Sequence, residues 1–158
     1  MEQLLVGLLL WISQHSSFEY SQDMGLPQVE LVSQLELAAL YVGGDKAGNT
    51  QGFLSDPAQQ AAYKQLASSL EAVYAADRNT IYLGKKINPH SSYGRSVIVH
   101  ELIHFLQKTH QHEKKVACGN ALEKDAYTIQ ARYMKAHQLK VGFNAFTIAM
   151  RSMCDSEL

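Results

Sequence analysis

One stretch constrains this chain more than any other. From Ser96 to Thr109 it is apolar around most of a helical circumference, through Val97, Ile98, Val99, Leu102, Ile103, Phe105 and Leu106. A helix of that kind has no solvent face and has to be buried. Yet it carries His100, Glu101 and His104, and each ionised group taken out of water costs about several kcal/mol unless it is paired or bound. The order His100-Glu101-Leu102-Ile103-His104 is H-E-x-x-H. Positions i and i+4 share a helix face about 6 Å apart, so both imidazoles reach one Zn²⁺. The Glu beside the first His then points at the water in the open coordination position. Two core histidines bonded to backbone carbonyls are the competing reading.

The rest of the chain supplies elements to pack around that helix. Leu4 to Ser13 reads as a helix, with Trp11 anchoring it to the core. Gln28 to Ser33 reads as a short strand and Gln34 to Val42 as a helix. Gly43 to Gly52 is a loop by its Gly and Asn content, and Asp56-Pro57 has the cap chemistry of a helix running to about Ser68. Glu71 to Ala75 and Thr80 to Leu83 are β-prone runs flanking Asp77-Arg78-Asn79, which predicts a hairpin. After the His- and Lys-rich turn His110 to Lys115, a second long helix is expected over about Ala121 to His137 and a last one over Ala145 to Met153. Tyr133, Met134, Phe143, Phe146, Met150 and Met153 fall at spacings that fit a core face.

A third metal ligand has to come from a separate element packed on the first helix. Glu123, at the start of the second long helix and after the Gly119-Asn120 turn, is the candidate; Asp125 is the fallback. His110 and His112 read as solvated turn residues and Gln107 as a helix-end contact.

The pattern resembles the gluzincin branch of zinc metallopeptidases, in which H-E-x-x-H is joined by a downstream Glu. Here His100 to His104, eighteen intervening residues, and Glu123 in Glu123-Lys124-Asp125-Ala126-Tyr127 match it over roughly residues 70 to 135. The resemblance implies an α+β, zincin-like fold with a small antiparallel sheet, an active-site helix and further C-terminal helices. It also implies that Thr80 to Leu83 is the edge strand that binds substrate backbone. One domain would span residues 1–158, with a helix and strand region over about 1–90 and a metal-binding helical region over about 91–158. Zn²⁺ would be held by His100, His104 and Glu123, and Glu101 would act as general base on a peptide or protein substrate. Tyr127, one turn beyond Glu123, is the first choice to stabilise the oxyanion and equally fits a packed core position; Tyr93 and His137 are weaker choices. One departure is Tyr127 itself, because many gluzincins carry Asp, Asn or Ser there.

Charge and composition exclude other classes. Lys+Arg 14 against Asp+Glu 15 argues against nucleic acid as the main partner, since phosphate binding draws on a basic face. Leu4 to Ile12 is too short to span a bilayer, which takes about 20 residues, and its flanks fit a signal peptide badly. There is no Gly-rich phosphate loop and no local signature of a serine or cysteine nucleophile. Cys118 and Cys154, if paired, point to a periplasmic or secreted location, and if unpaired fit a cytoplasmic one. The main alternative to a peptidase is a non-catalytic zinc-binding interaction or regulatory module of the same fold. Glu101 discriminates between the two, since a purely structural site has no use for a general base beside its first ligand.

Overall fold

The computed structural model describes residues 1–42, 57, 61, 64–66 and 68–154. Its elements in chain order are α1 (Glu2–His15), β1 (Gln28–Val32), α2 (Gln34–Tyr41), β2 (Ala72–Ala75), β3 (Thr80–Gly84), α3 (Ser92–Thr109), α4 (Glu123–Ala136) and α5 (Ala145–Ser152), with short 3-10 turns between some of them. The expected loop Gly43 to Gly52 lies outside the described residues, as does most of the helix expected from Pro57. Among the described residues no helix is long and apolar enough to cross a membrane. The chain is α+β and divides into two compact units, one of Met1–Leu26 with Pro89–Leu158 and the other of Pro27–Asn88. The N-terminal helix, expected alongside the strands, therefore belongs with the helices that follow residue 88.

The Pro27–Asn88 unit is built on a three-stranded sheet in the order β1-β3-β2. The hairpin forms as the β-prone runs predict: β2 and β3 pair antiparallel, with Tyr74 opposite Ile81, and Asn79 takes the left-handed φ of 47° that closes the turn. Asn bears such a conformation at less cost than most residues. The sheet is nevertheless mixed and not antiparallel, because β1 pairs parallel with β3, Val29 lying opposite Ile81. Parallel partners need a long crossover, which the chain between Val32 and Thr80 provides. This overturns the edge-strand role expected for Thr80 to Leu83. With β1 on one side and β2 on the other, β3 is the central strand and has no free edge to offer an extended peptide. Its sequence fits that position, since Thr-Ile-Tyr-Leu-Gly is continuous rather than alternating and all five residues are buried. Helix α2 starts at a capping box, in which Ser33 accepts from the Glu36 amide and Glu36 accepts from the Ser33 amide. It brings Leu37 onto Ala75 and Tyr82, with Val32, Leu40, Leu70 and Val73 around them.

The helical unit centres on α3. Ser91 caps its first turn by accepting from the Gly94 amide, and most of its 18 residues are buried, as an apolar circumference requires. It packs on α1, which buries Leu5, Leu8, Leu9 and Ile12, and on α4, which buries Ala126, Ile129, Gln130, Tyr133 and Met134. Trp11 anchors α1 as expected, packing edge-to-face on Tyr133 with 5.0 Å between ring centroids. The last helix departs from the reading of its apolar residues as core. Phe146 is 72 % and Met150 49 % exposed, and no residue of α5 is buried. Spaced i and i+4, these two share one helical face, while Arg151 reaches Tyr127 on α4. Cys118 and Cys154 are joined in a disulfide with Cα atoms 5.8 Å apart.

Candidate metal centre

Helix periodicity sets His100 and His104 one turn apart on α3, and the 3-10 turn Gly119–Leu122 delivers Glu123 to them as the first residue of α4. The three side chains converge, as their spacing predicts. His100 Nε2 lies 3.3 Å from Glu123 Oε2, His104 Nε2 lies 3.2 Å from Glu123 Oε1, and the two Nε2 atoms are 3.2 Å apart. Among the described residues they are the group whose ligand atoms come close enough to share an ion. A tetrahedral ion with arms of about 2.0–2.1 Å needs ligand atoms about 3.3–3.4 Å apart, and the observed spacings match that edge.

The far side of each imidazole explains why Nε2 faces inward. Gln107 donates through Nε2 to the Leu122 carbonyl at 2.8 Å, so its amide oxygen is the atom facing His104 Nδ1, at 2.9 Å. Only an N–H on Nδ1 satisfies that oxygen. Gln130 presents Oε1 to His100 Nδ1 at 3.1 Å. With both Nδ1 atoms donating, the neutral rings turn two Nε2 lone pairs toward each other and toward a carboxylate. Lone pairs at such distances repel unless a proton or a cation lies among them. A single proton serves one pair, whereas a divalent ion serves all three donors, so the donor set fits Zn²⁺.

Gln107, expected as a helix-end contact, instead orients His104, and Gln130, with no role expected for it, orients His100. Gln107 is 1 % exposed and Gln130 5 %. The missed signal was periodic: Gln130 stands seven residues after Glu123, on the face that carries Ala126 and Tyr133, where an amide needs a reason to be buried. Together the two amides hold the histidines, a task that no Asp, Asn or Ser at position 127 performs here. Truncating either, as Gln107→Ala or Gln130→Ala, is expected to weaken zinc binding about 10–100-fold, measured by chelator competition; unchanged affinity in both would remove their orienting role.

The electrostatics follow from this crowding. Burial pushes Glu123 up, but hydrogen bonds and charge from His100 and His104 hold it well below the usual carboxylate range. Burial also opposes charge on His104, yet the Glu123 hydrogen bond, the Glu101 and Glu123 charges and the Gln107 contact raise it to about 9. Without metal, a proton on His104 therefore takes the cation's place beside Glu123. Because His104 is raised in the fold, its stabilisation is complete below its ordinary value of 6.5 and is lost as pH climbs through about 9. Glu123 is depressed, so its share is present above its ordinary 4.5 and is lost as pH falls. The metal-free chain should thus melt highest between about pH 4.5 and 6.5 and lose Tm from 6.5 to 9, a slope that saturating zinc flattens. A flat metal-free profile from 6.5 to 9, by calorimetry, would count against the pairing, and equal slopes with and without zinc would count against zinc displacing the proton.

Glu101 is buried, 6 % exposed, and lies near enough to raise His104 by its charge. Tyr127 comes beside the site: its ring packs edge-on against His100, 4.4 Å between centroids, while its oxygen accepts from Arg151. Burial holds its phenol above the ordinary value against the pull of Arg151. Asp125 is not part of the group and faces His112 at 3.7 Å. His110 donates to the Glu19 carbonyl at 2.8 Å. His137 donates to the Tyr133 carbonyl at 2.9 Å, at the end of α4, and Tyr93 is 42 % exposed in the first turn of α3.

No curated protein and no solved structure matches the chain. The family described as "Domain of unknown function (DUF6647)" matches residues 1–157, and the chain belongs to that family.

Proposed function

We propose that the chain is a zinc-dependent peptidase of the gluzincin kind, with a zincin-like arrangement of motif helix and ligand helix. The observation that carries the reading is the pair of amide-held imidazoles, each with Nδ1 engaged by a glutamine and Nε2 turned to the Glu123 carboxylate. His100, His104 and Glu123 hold the ion. Zn²⁺ bound there supplies Lewis acidity, which polarises a carbonyl and acidifies water. Glu101, next to His100 in the chain, takes the proton from the attacking water and returns it to the leaving amine. Tyr127 stays neutral and can donate its O–H to the developing oxyanion while its oxygen accepts from Arg151. The buried surroundings of Glu101 strengthen its own charge interactions by excluding water.

The test is cleavage of a mixed peptide library by zinc-loaded protein, read by mass spectrometry. Cleavage that chelation abolishes and zinc restores is the expected result. A fully zinc-loaded chain that cuts none of the library would support the non-catalytic zinc module instead.

A further inference from the structure

The disulfide lies where it grips the metal site from two directions. Cys118 immediately precedes the 3-10 turn that delivers Glu123, and Cys154 follows α5. The same two segments are clasped again by Asn120, which donates to the Met153 carbonyl at 3.1 Å. From this clasp one path runs through the Leu122 carbonyl to Gln107 and on to His104. The other runs through α5, whose Arg151 donates to the Tyr127 oxygen and stacks over its ring, 4.9 Å from the centroid, and Tyr127 packs on His100. Helix α5 buries no residue of its own, and the bridge is the covalent tie between it and the turn before Glu123.

We propose that the Cys118–Cys154 bridge is a redox-operated clamp on the metal centre: opening it frees α5 and the turn before Glu123 and lowers the affinity of His100, His104 and Glu123 for a divalent cation. This rests on the reading that these three residues bind such a cation. The reductant is a dithiol. Its thiolate attacks Sγ of Cys118, the less buried of the two, and Cys154, 6 % exposed, leaves as thiolate. The second thiol of the reductant then displaces Cys118. Two electrons and two protons pass to the bridge, giving two cysteine thiols and the oxidised, disulfide form of the reductant. The clamp is closed in oxidising compartments and opens in reducing ones.

Zinc affinity of the full chain is measured by competition with a chromophoric chelator in four states: oxidised, reduced, reoxidised, and as the Cys118→Ser/Cys154→Ser double variant. Reduction uses a water-soluble phosphine, which ends as its oxide with oxygen from water. Far-UV circular dichroism accompanies each state. The expected result is binding at least about tenfold weaker in the reduced and double-variant forms, with the helical signal retained and affinity recovered on reoxidation. Equal affinity in all states overturns the clamp while leaving the metal site standing. Collapse of the helical signal on reduction also overturns it, since the bridge is then a staple of the whole fold. Absence of zinc binding in every state removes the metal site, and the clamp with it.

Discussion

Glu101→Gln is expected to lower kcat on any peptide the chain cleaves by about 10²–10⁴-fold while zinc content stays at the wild-type level. The substitution keeps shape and hydrogen-bonding capacity at a buried position and removes only the proton acceptor. Glu101 is not one of the three grouped ligands, so metal binding should survive. A second effect has a defined sign. The Glu101 charge is one of the causes that raise His104, so the variant's metal-free His104 should titrate lower than in wild type, visible by NMR. Unchanged turnover in a zinc-loaded Glu101→Gln protein would exclude Glu101 as general base.

Glu123→Ala should cost more than about a hundredfold in zinc affinity, beyond what loss of an outer contact costs. It removes the only carboxylate of the group and leaves two Nε2 atoms 3.2 Å apart with no anion beside them. In the metal-free chain it also deletes the partner of protonated His104. The pair is partly exposed, the Glu123 side chain by 31 %, so stability should fall by about 1–3 kcal/mol near pH 6. The loss should shrink toward pH 9, where His104 gives up its proton. Asp125→Ala, on the same helix but facing His112, is the control that should leave zinc affinity intact. Loss of zinc in the Asp125 variant and not in the Glu123 variant would reassign the third ligand.

How much of this could be read in advance depended on how local the cause was. The convergence of His100, His104 and Glu123 followed from two spacings, His100 to His104 within one helix and Glu123 at the head of the next, because a buried helix leaves ionisable residues few destinations. The hairpin followed from the turn residues between its strands. Parallel pairing of β1 with β3 did not, since nothing in Gln28 to Val32 records which distant strand it will meet; the unbroken apolar run of β3 was the available hint of a central strand. Gln130 was missed because its role exists only once α4 lies against α3. Phe146 and Met150 misled because a periodic apolar face shows that a helix is amphipathic, not that a partner covers it. Whether the two cysteines pair could not be read from their spacing alone; the fold brings them together across α4 and α5.

The zinc content of tag-free wild-type protein after equilibration with equimolar zinc and removal of the free ion, read by plasma mass spectrometry, decides whether His100, His104 and Glu123 form a metal site. One zinc per chain is expected, with proton release on uptake at neutral pH as His104 yields its proton. A chain that takes up no zinc under those conditions would contradict the metal site, and would leave His100, His104 and Glu123 as a partly exposed ion-paired group whose histidines are held by two glutamines.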